Sequence, residues 1–270
     1  MRKAFGKLLK KVFNPKQIVK FKESSVWKFY HKVIFYGNRY QCPVCNNTFR
    51  RMLPGGYKYP VLKEKKVIGG EFDDNLICPY CGSFGRDRSV YLYLKLKTDI
   101  FHKKYKLLHV APERSLQNIF LEYPDIDYTA VGLDTTLRTT KMDVTDLQLE
   151  NETFDVVICN HVLEHIQNDI KAMSELYRVL KTGGWAILQV PISYTIPCTY
   201  ENSNITEPHD RIREFGQEDH VRIYGNDYFD RLKKAGFETE KFNLKDEFGQ
   251  EFITHYSLNP GELLFVCKKN

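Results

Sequence analysis

Phe154-Asp-Val-Val-Ile-Cys-Asn-His-Val-Leu-Glu-His-Ile166, followed by Leu180-Lys-Thr-Gly-Gly-Trp-Ala-Ile-Leu-Gln-Val-Pro191, decides the fold of this chain. Residues 154–160 form a short, almost unbroken apolar run, the pattern of a strand buried on both faces. Residues 166–180 carry apolar side chains at helical spacing. Gly183-Gly184 then turn the chain into a second apolar run at 185–191. Strand, helix, glycine turn and strand make one βαβ unit, and such a unit joins parallel strands.

Further apolar runs of similar length flank this unit. Strands are expected at 106–110, 129–133, 238–244 and 263–268, and helices at 115–123 and 226–235. The alternation predicts a doubly wound, mainly parallel α/β sheet. Ligands of such sheets bind beyond the carboxyl ends of the strands, where the strand order switches. The residues that follow each strand are therefore the candidate site.

After the first strand comes His109-Val-Ala-Pro-Glu-Arg-Ser115, a loop with no glycine. Glycines usually let backbone N–H groups approach a nucleotide closely at this point. Asp134 follows the second strand, where an acid accepts the hydroxyls of a ribose. Asp143, with Val144 beside it, follows a short third strand and is placed to accept a hydrogen bond from an adenine amino group. Either Asp alone also fits a helix cap or a turn.

Cys42-Pro-Val-Cys45 and Cys78-Pro-Tyr-Cys81 stand 32 residues apart. Two such knuckles offer four thiolates, the donor set of a tetrahedral structural zinc ion. Between them, apolar residues alternate with Pro54-Gly55-Gly56 and Gly69-Gly70, which suggests a short hairpin and a zinc-ribbon-like module over 41–85. Residues 86–104 read as a linking helix, and 105–270 as the α/β domain. Cys159 and Cys267 lie in apolar runs and are expected in the core. Paired cysteine spacing suits a reducing compartment, and no apolar run approaches a membrane span, so a cytoplasmic location is expected.

The net charge of +6 is uneven. Residues 1–40 hold eleven Lys/Arg and one acid, Glu23, whereas the rest of the chain has 29 bases and 33 acids. Ala4, Phe5, Leu8, Leu9, Val12 and Phe13 recur at helical spacing among Arg2, Lys3, Lys7, Lys10 and Lys11. This basic amphipathic pattern suits peripheral contact of residues 1–15 with an anionic membrane, with docking on the protein itself or a solvated tail as the plainer reading and a nucleic acid as the lesser candidate.

Together, Asp143 with Leu147, the Phe154–His165 stretch, Glu175-Leu-Tyr-Arg-Val-Leu-Lys-Thr-Gly-Gly184 and His220-Val-Arg-Ile-Tyr with Tyr228-Phe-Asp-Arg-Leu-Lys-Lys-Ala-Gly-Phe237 resemble the type 11 group of class I S-adenosylmethionine-dependent methyltransferases. The resemblance covers roughly 105–268. It implies a seven-stranded sheet whose last strand is antiparallel, and S-adenosylmethionine as cofactor. By carry-over Asp134 would hold the ribose and Asp143 the adenine, with Ala111, Glu113, Val144 and Asn160 completing the cofactor site. Glu113 would face the amino group. Asn160 and His161 would face the methionine end and the acceptor, while Glu164 and His165 would brace the start of a helix. The double cysteine knuckle, the Leu107–Glu113 loop and Phe215-Gly-Gln-Glu-Asp-His-Val-Arg222 resemble a bacterial subset associated with surface-polysaccharide biosynthesis.

Residues 193–224 form a long polar and aromatic insertion, expected to act as a lid over a small-molecule or glycan acceptor. A hydroxyl acceptor needs its proton removed; His161 and His220 are the candidate bases, with His209 third. The amine-methylating signature Asn/Asp-Pro-Pro-aromatic is replaced by Asn160-His-Val-Leu, which points to an oxygen acceptor. An O-methyltransferase acting on a sugar or polysaccharide intermediate is the leading expectation. An RNA methyltransferase and a non-catalytic module of methyltransferase fold are the alternatives.

Overall fold

The structure, a computed structural model, describes residues 25–133, 135 and 138–270. The proposed amphipathic segment at 1–15 and Asp134 lie outside the described residues. After helix α1 (Ser25–Ile34) come two antiparallel pairs, β1 (Tyr36–Gln41) with β2 (Thr48–Phe49), and β3 (Leu53–Gly55) with β4 (Asp73–Ile77). A short helix α2 (Pro60–Glu64) lies between β3 and β4. Helix α3 (Gly85–Lys97) then leads into the main sheet.

That sheet is built from β5 (Tyr105–Val110), β6 (Ile126–Gly132), β7 (Thr140–Lys141), β8 (Phe154–Asn160), β9 (Leu180–Gln189), β12 (Glu238–Phe242) and β13 (Leu264–Lys268). Its spatial order is β7-β6-β5-β8-β9-β13-β12, seven strands. The ladders among β5 to β9 are parallel, and β13 runs antiparallel to both of its neighbours. The strand order switches between β5 and β8, so the crevice falls at their carboxyl ends.

Helices α4 (Arg114–Leu121), α5 (Asp169–Val179), α6 (Pro208–Phe215), α7 (Tyr228–Lys234) and α8 (Leu244–Tyr256) complete the molecule, with a small strand pair β10 (Tyr200–Glu201) and β11 (Arg222–Ile223). Asn168 starts α5 by accepting a hydrogen bond from the Lys171 amide at 3.0 Å, satisfying a donor the helix leaves open. Two large apolar clusters cover the two faces of the sheet. Cys159 and Cys267 are both fully buried, as expected.

Three expectations change. The helix expected from 166 begins at Asp169, because a 3₁₀ turn, Leu163–His165, precedes it. The strand expected at 185–191 starts five residues earlier, at Leu180, and runs through the Gly183-Gly184 pair. The hairpin expected between the cysteine knuckles is a longer excursion with a helix in it. It travels far enough to pair Ile68 with Ile192, just past β9, through two backbone bonds of 2.8 and 3.1 Å. That reach explains the long spacing between the knuckles. Among the described residues, no helix is long and apolar enough to cross a membrane.

Candidate functional site

The chain leaves both central strands in the same unusual way. Ala111, after β5, and His161, after β8, have φ of +47° and +53°. Side chains other than glycine rarely adopt this left-handed region. Each residue still extends the ladder, with the Ala111 amide donating to Val131 O at 2.7 Å and the His161 amide to Gln189 O at 2.8 Å. Gly132 sits so close that a Cβ there would come within 3.3 Å of Ala111 Cα. The glycine-free loop thus takes a glycine-like path, with Ala111 supplying the turn and Gly132 on the neighbouring strand supplying the space.

Asn160 is buried, yet neither atom of its amide has a hydrogen-bond partner. Glu113 meets His109 Nε2 at 3.0 Å through one oxygen, while the other is buried and unpaired. Burial disfavours its charge, but His109 outweighs this and holds the carboxyl below its ordinary range. Buried polar atoms without partners are uncommon, and several beside one crevice suit a polar ligand. Asp143 is exposed; its Oδ1 accepts from the Thr145 amide and hydroxyl, both at 2.8 Å, so the turn role is realised. The Val144 side chain is buried in the core, which leaves its backbone for any ligand.

The sequence reading missed a charged rim. Arg86, in the first turn of α3, lies 3.8 Å from Asp87, and its buried Nε has no hydrogen-bond partner. Asp87 accepts from the Phe84 amide and Ser115 hydroxyl, each at 2.9 Å. Burial and the nearby Glu113 push its carboxyl up to about 6. Glu262, beside Ser89, is pushed up to about 7 by burial and by Glu71 and Asp87, against the pull of Arg86. Arg86-Asp87 was visible only as the start of a helix; no local pattern tied it to Glu113 or Glu262.

On the acceptor side the structure gathers His161, Glu164, His165 and His220. His161 Nδ1 lies 3.4 Å from Glu164 Oε1, and the His165 and His220 rings meet edge to face at 4.7 Å. Burial pushes the His220 imidazole down to about 4. Burial and the Arg86 charge lower His161 as well. Lowering of this kind disfavours the imidazolium and favours the neutral ring, the form that can accept a proton. Glu164 and His165 sit in the 3₁₀ turn before α5, whose cap is Asn168, and the Glu164 carboxylate faces His161. His209 is exposed on α6, away from this group. Gly69, from the excursion, lies over His161; a Cβ there would stand 3.2 Å from its ring. The 193–224 insertion is ordered and packs Phe215 and Ile223 against Val61, Leu62 and Val67 of the excursion.

The four knuckle cysteines converge. Cys42 and Cys81 Sγ lie 3.6 Å apart, and Cys45 and Cys78 Sγ 3.7 Å. Zinc–sulfur bonds of about 2.3 Å in a tetrahedron place sulfurs about 3.8 Å apart, so the set fits such an ion. Gly82, at φ +79°, closes the second knuckle.

Residues 115–188 match the family described as "Methyltransferase domain". No curated protein matches the chain in sequence. Among solved structures, the chain is similar to the [4+2]-cyclase SpnF at 16% identity, over 68% of this chain and 81% of that one, with a TM-score of 0.46. A SAM-dependent methyltransferase from Archaeoglobus fulgidus shares 13% identity over 69% of this chain and 95% of its own, with a TM-score of 0.46. A putative methyltransferase from Bacillus halodurans shares 19% over 62% and 94%, with a TM-score of 0.42. Likenesses this remote identify neither reaction nor substrate, and one of the three is a cyclase. The family match runs from α4 to β9, and the seven-stranded order with one antiparallel strand is that of the class I fold. The chain therefore has the fold of the class I methyltransferases, with residues 115–188 matching the methyltransferase-domain family.

Proposed function

We propose that this chain is an S-adenosylmethionine-dependent O-methyltransferase whose acceptor is a hydroxyl of a sugar or polysaccharide intermediate. The cofactor supplies an electrophilic methyl group on a sulfonium sulfur. Asp134 holds the ribose and Asp143 the adenine amino group, with the Val144 backbone beside it. The left-handed turn at Ala111 opens the loop, and Glu113 and Asn160 meet the methionine end. The enzyme's main task is to hold donor and acceptor in line. His161, and His220 across from it, are placed to take the hydroxyl proton. The observation that carries this reading is the pair of imidazoles gathered past the carboxyl end of β8, His161 at 3.4 Å from Glu164 and His220, of the ordered polar insertion, packed edge to face on His165. The four cysteines hold a structural zinc ion, since four thiolates leave no open position for a substrate. Residues 1–15 contact an anionic membrane surface from the cytoplasmic side.

Calorimetry with S-adenosylmethionine tests the cofactor site. Asn160→Ala is expected to weaken binding about tenfold, the cost of one good hydrogen bond to a buried ligand. No binding by the wild-type chain at millimolar cofactor would sink the enzymatic reading. Transfer of labelled methyl into glycan fractions, and none into RNA, is the expected outcome for the acceptor. Label in RNA alone would favour the RNA-methylating alternative, which the basic N-terminal forty residues motivate.

A further inference from the structure

We propose that Glu164, His165 and His220 form a second metal site, for a divalent first-row transition ion, at the acceptor end of the crevice. Their ligand atoms all lie within 4.8 Å of one another. His165 Nε2 stands 3.9 Å from Glu164 Oε1. Ligands held about 2.1 Å from one ion lie about 3.0–3.4 Å apart at octahedral or tetrahedral angles, so small rotations of the two rings close the set. One carboxylate with two imidazoles is the donor set that suits zinc, iron(II), cobalt(II) or manganese(II) and leaves positions open.

Glu164 is the independent observation. Its side chain is 1% exposed, and neither oxygen makes a well-formed hydrogen bond, the nearest donors being His161 Nδ1 at 3.4 Å and His165 Nε2 at 3.9 Å from Oε1. A buried carboxyl left this way is costly, and a cation would satisfy it. The surroundings are built to hold the ligands. Asp219 Oδ2 lies 3.2 Å from His165 Nδ1, which turns Nε2 of that ring toward Glu164. A carboxylate on the far nitrogen is the usual way a metal-binding histidine is oriented. The Val221 amide donates to Glu164 O at 2.9 Å, and Arg222 donates to Leu163 O at 3.0 Å and Gln167 O at 2.9 Å. These bonds clamp the strand after His220 onto the 3₁₀ turn that carries Glu164 and His165. A small cavity, with room for about one water, lies beside His220 and is lined by Tyr57, Gly70, Pro191 and Gln217.

The role of the ion rests on the proposed hydroxyl methylation; the site itself does not. An acceptor hydroxyl on an open position becomes more acidic. With the His220 nitrogen on the ion, His161 alone takes the proton, and the oxygen attacks the methyl carbon. The carbon–sulfur bond breaks with its electron pair left on sulfur, giving the methyl ether and a neutral thioether.

The test uses the full chain with its cysteine site already filled with zinc. Cobalt(II) and manganese(II) are titrated alone by calorimetry, with loss of the free manganese spin-resonance signal as a second readout. One further equivalent is expected to bind the wild type. Glu164→Gln and His220→Gln should each weaken it at least tenfold, with unchanged circular dichroism. His165→Gln, at a partly exposed residue, gives the same answer if either buried variant misfolds. No further equivalent in the wild type at about 1 mM metal, or equal affinity in folded variants, overturns the site. S-adenosylmethionine is titrated separately. If it fails to bind while the second metal binds, the methyltransferase reading falls and the metal site stands.

Discussion

Glu262 carries a pH dependence that can be worked out in sign. Its carboxyl sits among Ser89, Arg86, Glu71 and Asp87, and burial pushes it up to about 7. The unfolded chain releases the same proton near 4.5. Between these values the folded state holds the proton and the unfolded state does not, so stability falls as pH rises through that window. Glu262→Gln removes this loss. The variant is expected to be more stable than wild type at pH 8 by on the order of 1 kcal/mol, discounted for partial exposure, with the difference fading toward pH 4.5. Cofactor-free thermal denaturation across pH 4.5–8 checks it, and a pH-independent difference would contradict the assignment. At this scale the sequence was legible in position. Asn160 and His161 were expected at the crevice because residues after a buried run lie there, and they do stand at the end of β8. Glu262 and Arg86 were not, because they reach the crevice from elements distant in the chain.

Among the elements, α3 depends on one residue. Arg88 is fully buried and donates to Leu76 O, Ser83 O, Tyr256 O and Ser257 O, at 3.1, 2.9, 2.9 and 2.5 Å. It thereby ties β4, the second cysteine knuckle and the end of α8 to one helix. A lysine cannot present the same planar fork of donors. Arg88→Lys is expected to cost about 3 kcal/mol or more, because carbonyls buried around the guanidinium lose their donors. Urea denaturation measures it; a loss under about 1 kcal/mol would show that the carbonyls find other partners. Helix α8 was itself missed from sequence. Leu244, Phe248, Phe252 and Tyr256 recur every four residues, a helical signal. Gly249, at φ +83°, breaks the helix inside that run, and the charged residues between dilute the pattern. The edges of β8, by contrast, matched to the residue, since an apolar run bounded by polar residues marks a buried strand at both ends.

At the scale of the whole molecule, the cysteine-bearing region and the sheet share one core. Phe35, Tyr40, Phe49 and Met52 belong to the same buried cluster as Leu107, Val156, Ile158 and Leu264 of the sheet. Composition and cysteine spacing separate the two regions in sequence, yet that separation says nothing of packing, which joins residues far apart in the chain. Apolar area buried across this contact is lost if either side opens, so neither side is stable at the expense of the other. If the cysteine site holds the proposed zinc, its removal should therefore lower the melting temperature of the entire chain in a single transition, by roughly 10 °C or more if the ion contributes several kcal/mol. Calorimetry with and without a zinc chelator checks this. If the cysteine-bearing region were an appended module, chelation would instead create a second, low-temperature transition and leave the main one in place. Gly69 lies against His161, and Ile68 pairs with Ile192, so the same loss of metal should loosen the acceptor side. A chelated chain is then expected to lose methyl transfer below its melting temperature while still binding S-adenosylmethionine, because the excursion meets His161 and Ile192 of the proposed acceptor side, while the proposed cofactor residues Ala111 and Glu113 follow β5.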